Sequence, residues 1–369
     1  MATGKPAGVL AEFKMTNGGL PILIPVDIGG RSHMFVLDTG SSTTVFDSSL
    51  GHRPGLFDPP EPAGSREVVA VESAGGTAYL ELSNPPESFV GREDLRRLGR
   101  VLWHDLNILR RVADRDIRGV LGMDFLKHYV VRLDFDAGSV ALLRGDALEH
   151  PEWGIALAMS GSRSGSDSPV VSVAGLNDGT AEFLIDTGCT KNGRMESRLF
   201  KEIFGAQATC DCYMATSAGI VATKSARLKE FVFAGVNHKG LAFDEARKNI
   251  LGLGVLSRYV VTFDFPNRKL YLKKGKYAGN PDDQDMSGLH LWRVNGSVTV
   301  HSVDRDSPAD GAGIQAGDVI ITVGGKTSVG MDLQHFNRLL SSGDDKEITM
   351  VIKRGGEEKA VSFKLKNRI

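Results

Sequence analysis

A seven-residue stretch that occurs twice constrains this chain more than any other feature. Phe35-Val36-Leu37-Asp38-Thr39-Gly40-Ser41 returns as Phe183-Leu184-Ile185-Asp186-Thr187-Gly188-Cys189. Residues 21–40 lie over residues 169–188 at a constant offset of 148 positions. Further on, Leu121-Gly122, Tyr129-Val130-Val131 and Asp134-Phe135 return at an offset of 130 as Leu251-Gly252, Tyr259-Val260-Val261 and Asp264-Phe265. The middle of the first copy is therefore about 18 residues longer. A unit of this size is too long for a solenoid repeat and fits a duplicated lobe. Each copy runs through an apolar β-rich segment, a turn with one carboxylate, more β-rich sequence and a hydrophobic-Gly turn. Two equivalent carboxylates thus sit on equivalent loops.

Local patterns support strands on either side of each loop. Residues 21–28 form an apolar, β-branched run ended by Gly29-Gly30, and residues 34–37 read as the returning strand of a hairpin. Asp38 then falls where a strand ends and the chain turns. Residues 51–64 are a Pro- and Gly-rich loop. Residues 68–71 and 77–82 make a hairpin around Ala74-Gly75-Gly76, and a second hairpin is expected around Ser217-Ala218-Gly219. Within the inserted stretch 92–118, Leu95, Leu98, Leu102 and Leu106 stand at near-helical spacing, which predicts a solvated amphipathic helix; the alternative is a substrate-binding basic patch.

The pair of Asp-Thr-Gly tripeptides, each followed by its own hydrophobic-hydrophobic-Gly signature (Val120-Leu121-Gly122 and Ile250-Leu251-Gly252), resembles the retropepsin and pepsin superfamily of aspartic proteases over residues 9–275. The resemblance implies a mainly β, bilobal β-barrel fold, with an N-terminal lobe at 1–147 and a C-terminal lobe at 148–278, like two retropepsins fused in one chain. It implies Asp38 and Asp186 as the catalytic dyad, with Thr39, Gly40, Ser41, Thr187 and Gly188 supporting the two loops. It also implies flaps over a substrate, with Gly75, Gly76 and Tyr79 in the first and Ser217 and Gly219 in the second. For Tyr79, edge-strand packing and substrate contact are both open. Ser41 is expected to donate to the outer oxygen of its carboxylate, whereas Cys189 at the matching place is a poor donor.

Beyond a polar linker at 279–286, Ser307-Pro308-Ala309 and residues 312–320 resemble a bacterial PDZ domain covering residues 287–369. That resemblance implies a small α+β domain. Its peptide groove is expected at Gly288, Leu289, His290 and Leu291 on one side and at His335 and Leu339, on a helix over 331–340, on the other. It would take a peptide or protein C-terminus.

Composition removes other function classes. Lys and Arg number 44 against 45 Asp and Glu, so no sequence-wide field favours nucleic acid or an anionic membrane. No apolar run approaches a membrane span. The three cysteines, Cys189, Cys210 and Cys212, and the nine scattered histidines form no metal-ligand pattern, so neither metal nor other cofactor is expected. Export to a periplasm is suggested by the resemblance, although residues 1–8 are too short and polar for a signal peptide.

Amide hydrolysis needs a nucleophilic water and a protonated leaving nitrogen, and two carboxyls sharing one proton can supply both. The expected activity is therefore that of a monomeric aspartic-type endopeptidase acting on extended polypeptides, with PDZ-assisted binding. The competing expectation is a catalytically silent peptide-binding or adaptor protein using the cleft and the PDZ groove.

Overall fold

The computed structural model describes residues 8–15, 21–51, 67–73, 76–145, 151–161, 167–176, 179–205, 207, 209–216, 219–282 and 284–369. Gly75 and Ser217, and most of the proline-rich loop, lie outside the described residues.

The duplicated sequence folds as duplicated structure. In the first copy, strands Leu23–Ile28 and Arg31–Leu37 pair antiparallel across Gly29-Gly30. Both glycines have positive φ (58° and 74°), as a tight two-residue hairpin turn demands. In the second copy, Val170–Leu176 pairs with Gly179–Ile185. The Asp-Thr-Gly strand of each copy then pairs in parallel with the strand that leads into its hydrophobic-Gly turn: Arg31–Leu37 with Ile117–Leu121, and Gly179–Ile185 with Ile250–Leu251. Nine strands make the first-lobe sheet and seven the second.

A six-stranded sheet joins the lobes, and at its centre the repeat pairs with itself. Tyr129–Asp134 runs antiparallel to Tyr259–Asp264, with Val130 opposite Asp264 and Asp134 opposite Val260. Reciprocal pairing of equivalent positions is the mark of a two-fold relation between the copies. A continuous apolar core, from Ile22, Phe35 and Phe46 to Phe183, Phe243 and Phe263, runs through both lobes.

The inserted stretch departs from expectation. It forms a 3-10 turn Leu95–Leu98, a strand Val101–His104 and a helix Asn107–Ala113, rather than one solvated amphipathic helix. Gly99 breaks the run with φ 75°, and Val101–His104 adds in parallel to Val45–Asp47. Leu95, Leu102 and Leu106 are buried, so their spacing serves three different elements.

Residues 289–364 carry a separate core built on a six-stranded sheet and the helix Leu333–Leu340. Leu289–Val294 is the edge strand of this sheet. The segment before it is no free tether. Asp282 accepts hydrogen bonds from Asn192 Nδ2 and Ala242 N, both at 2.8 Å, and Arg258 donates to Ala278 O (3.3 Å) and Asn280 O (2.6 Å). Replacing Asp282 by Ala removes the acceptor of two largely buried donors, at a cost of about 1–3 kcal/mol. Amide hydrogen exchange over residues 277–287 should then accelerate at least tenfold while exchange in the inter-lobe sheet stays unchanged.

Candidate functional site

The two Asp-Thr-Gly loops meet at the lobe junction and are locked by their threonines. Thr39 Oγ1 donates to Ile185 O (2.6 Å) and accepts from Thr187 N (3.1 Å), while Thr187 Oγ1 donates to Leu37 O (2.7 Å) and accepts from Thr39 N (3.0 Å). Both side chains are fully buried. Each hydroxyl therefore satisfies one carbonyl and one N–H of the opposite lobe, groups that burial would otherwise leave unpaired.

The carboxyls are oriented by their own loops. Asp38 Oδ1 accepts from Gly40 N (2.8 Å) and Ser41 N (3.2 Å), and Asp186 Oδ1 accepts from Gly188 N (2.8 Å) and Cys189 N (3.2 Å). Glycine is required after each threonine. A Cβ at Gly40 would stand 2.5 Å from Asp186 Cγ, and one at Gly188 would stand 2.5 Å from Asp38 Cγ. Side chains there would drive the carboxyls apart. Each Asp backbone N–H is anchored in turn to the hydrophobic-Gly turn, Asp38 N to Leu121 O (3.0 Å) and Asp186 N to Leu251 O (2.9 Å).

Burial, then the neighbouring charge of Asp186 and the hydrogen bond between the two side chains, hold the Asp38 carboxyl well above the usual carboxylate range, against the opposing N–H donors of Gly40 and Ser41. The Asp38 carboxyl therefore keeps its proton to higher pH than an isolated carboxyl does.

Several expected site residues are placed differently. Ser41 Oγ donates to Thr43 O (2.8 Å), not to its carboxylate; only its backbone N–H serves Asp38. The two copies therefore offer their carboxyls the same backbone donors, and the expected contrast with Cys189 does not arise from the hydroxyl. The Cys189 thiol is pushed up to about 11 by burial. Gly76 and Gly219 pair with Ser73 and Thr216 at the ends of their hairpins. Tyr79 is 76% exposed, with its ring outside the core. The second hairpin is held differently: Tyr213 on it lies edge-on to His290 (5.1 Å between ring centres).

In the C-terminal domain, Gly288 has φ 78° and no room for a side chain against Ser307. Leu289 is in the core, with Leu291 and Leu339 packed on it. His290 turns away, its Nε2 2.8 Å from Asp304 Oδ1, so it faces the second lobe rather than the peptide groove. His335 is half-buried on the flanking helix.

Two supports were not anticipated. Asp124, just after the first hydrophobic-Gly turn, accepts from Thr44 N (2.9 Å) and Thr44 Oγ1 (2.7 Å) and so fixes the end of the Asp38 loop. Asp47 is almost fully buried and accepts from Arg110 Nη1 (2.5 Å) and Leu106 N (2.9 Å). No repeated signal marks Asp124, since the second turn continues Gly252-Leu253-Gly254 without an acid; Asp47 has none either, because its partner Arg110 lies 63 positions away.

Comparison with known proteins gives matches to parts of the chain. Residues 24–125 match the aspartyl protease family and residues 299–354 match the PDZ domain family. A serine protease HtrA-like protein of Staphylococcus epidermidis is 29% identical over 155 residues, 41% of this chain and 26% of the relative. A probable CtpA-like serine protease of Staphylococcus haemolyticus is 34% identical over 77 residues, 21% of this chain and 16% of the relative. The chain thus spans about a quarter or less of the curated relatives it matches. Among solved structures, a photosystem II D1 C-terminal processing protease is 25% identical, with 26% of each chain covered and a TM-score of 0.23.

The relatives' names correct the expectation of an aspartic-type endopeptidase. Those relatives are named serine proteases, at odds with the aspartic class that the match over residues 24–125 alone suggests. The physical reason is that loop symmetry fixes where two carboxyls stand and that they hold a proton. It does not by itself identify the nucleophile, since chemistry resides in sites rather than folds. Among the described residues no helix is long and apolar enough to cross a membrane.

Two consequences can be measured. Thr39→Val keeps the shape of the side chain but leaves Ile185 O and Thr187 N unpaired, and should destabilise the fold by about 2–4 kcal/mol in chemical denaturation. For Asp38, a raised folded-state pKa means that stability is complete below the unfolded value and is lost as pH rises through the folded one. Asp38→Asn escapes that loss, so its melting temperature should exceed that of the natural chain by a margin that widens from pH 4 to pH 8.

Proposed function

We propose that this chain is a protease that accepts an extended polypeptide between two retropepsin-like lobes, residues 1–147 and 148–278, while the PDZ domain at 287–369 holds the end of the substrate. One chain supplies both loops, so the acting unit is a monomer. Asp38 and Asp186 are the residues on which turnover depends. Thr39, Gly40, Ser41, Thr187 and Gly188 keep that pair in register, and the hairpins at Gly75, Gly76 and Tyr79 and at Ser217 and Gly219 lie over the substrate.

The observation that carries this reading is the meeting of two symmetry-related carboxyls at a lobe junction, each held by two backbone N–H groups and close enough for one proton to serve both. An extended chain is the matching substrate class, because sheet edges bind polypeptide through main-chain hydrogen bonds. Tyr79, exposed on the first hairpin, is free to cover it.

The test uses the purified chain with an unfolded protein substrate. The natural sequence should cleave it, and Asp38→Asn and Asp186→Asn should each lose at least 100-fold in kcat/KM, with the double variant no worse than either single one. A parallel sample treated with a serine-reactive fluorophosphonate identifies the nucleophile. No cleavage by the natural chain overturns the reading. Full cleavage by both Asp variants, together with loss in the treated sample, moves the working centre away from the pair.

A further inference from the structure

The PDZ groove is closed at one end by the first lobe. Its walls are the free edge of strand Leu289–Val294 and the helix Leu333–Leu340. Met286 N donates to Leu340 O (2.9 Å), so the start of the strand lies beside the end of the helix and the far end of the strand beside the helix start. At that far end the carboxylate of Asp114 spans the gap. Its oxygens accept from Arg293 Nε (2.5 Å) and Nη2 (2.8 Å) on the strand and from Leu333 N (3.0 Å) on the helix. Arg293 Nη2 also donates to Met331 O (2.5 Å), tying the two walls together around the acid.

Asp114 is delivered by helix Asn107–Ala113, as its C-terminal cap in the left-handed conformation (φ 53°, ψ 42°). The same helix sets Arg111 over the ring of Trp292, 5.3 Å from its centre. Both partners of the ion pair are mostly buried, with 21% of the Arg293 side chain and 12% of that of Asp114 exposed. Burial raises the Asp114 carboxyl, but the Arg293 fork and the Leu333 N–H more than offset this and hold it below the usual range.

We propose that Arg293 and the Leu333 N–H form a carboxylate seat in the PDZ groove, filled at rest by Asp114, which an Asp or Glu of an incoming polypeptide replaces. A peptide added along the edge strand advances about 3.3 Å per residue. From the loop at Leu289 to Arg293 is four residues, so the replacing acid stands about four residues before the C-terminus. A ligand without it leaves a mostly buried guanidinium unpaired, which is the costly outcome. Binding of such a ligand and docking of the first lobe on the domain therefore oppose each other, with equal effect in both directions.

This rests on the peptide-holding part of the proposed function, and binding is read without turnover, so the Asp38 and Asp186 variants bear on catalysis alone. Two pools of fluorescein-labelled decapeptides, randomised in their last three residues and carrying Glu or Gln at the fifth position from the end, are titrated with the full chain by anisotropy. Asp114→Ala should bind the Glu pool at least threefold tighter than the natural chain does, and at least threefold tighter than it binds the Gln pool. Arg293→Gln should erase the preference between pools. Arg111→Ala, which loosens the same helix and keeps the seat, should also bind the Glu pool at least threefold tighter than the natural chain and serves if Asp114→Ala does not fold. Smaller gains, equal affinity for the two pools, or absence of binding to the released variants overturns the proposal.

Discussion

The paired threonine bonds between the two loops are the constraint from which the rest of the molecule follows. Thr39 and Thr187 each close one hydrogen bond as donor and one as acceptor across the lobe junction, wholly out of water. A buried backbone group without a partner costs about 1–3 kcal/mol, so the four groups involved permit only one relative placement of the loops. That placement brings Gly40 against Asp186 and Gly188 against Asp38, and burial together with the close approach of Asp186 raises the Asp38 carboxyl. The inter-lobe sheet imposes the same two-fold relation from the opposite side, through reciprocal pairing of Tyr129–Asp134 with Tyr259–Asp264.

The sequence disclosed what repeats and what turns. Asp38 and Asp186 could be found because the whole stretch around each recurs, and the hairpin at Gly29-Gly30 because glycine adopts positive φ without strain at both of its turn positions. The edge strand and helix of the C-terminal domain were expected from the resemblance of residues 307–309 and 312–320 to a PDZ domain. Residues 92–118 misled because leucine periodicity reports burial, not conformation. Leu102 is buried through a strand that pairs with Val45–Asp47, and no local pattern reveals that partner. Ser41 and His290 misled for a related reason: each makes its hydrogen bond with a group whose direction depends on the backbone path, Thr43 O in one case and Asp304 in the other. The class of catalysis was the least legible, because the repeat specifies carboxyls and not the nucleophile.

Departures from the repeat are as informative as the repeat itself. Phe46 and Asp47 of the first copy correspond, at the 148-residue offset, to Arg194 and Met195 of the second. Phe46 packs edge-on to Phe35 in the core, with ring centres 5.0 Å apart. Asp47 holds the inserted helix through Arg110 and Leu106 N. The second copy has no such acid at the equivalent place and no comparable insertion. Its equivalent of Thr44 is Asn192, whose amide instead reaches Asp282 in the segment leading to the PDZ domain.

Two attachments of the PDZ domain therefore begin in the short stretches that follow the two Asp-Thr-Gly loops. From the first lobe the connection passes through Asp47, the inserted helix and Asp114 to Arg293; from the second it passes through Asn192 to Asp282. A domain carried on a flexible tether would sample many positions and contribute only local concentration. Here the domain is held by mostly buried polar contacts to each lobe, and its seat on one of them includes the wall of its own groove. A ligand that alters that groove must act against a contact belonging to the first lobe, so occupancy and docking share one free energy. Arg293 is the point where the two demands meet, because a single guanidinium in a mostly buried site cannot fork around two carboxylates at once.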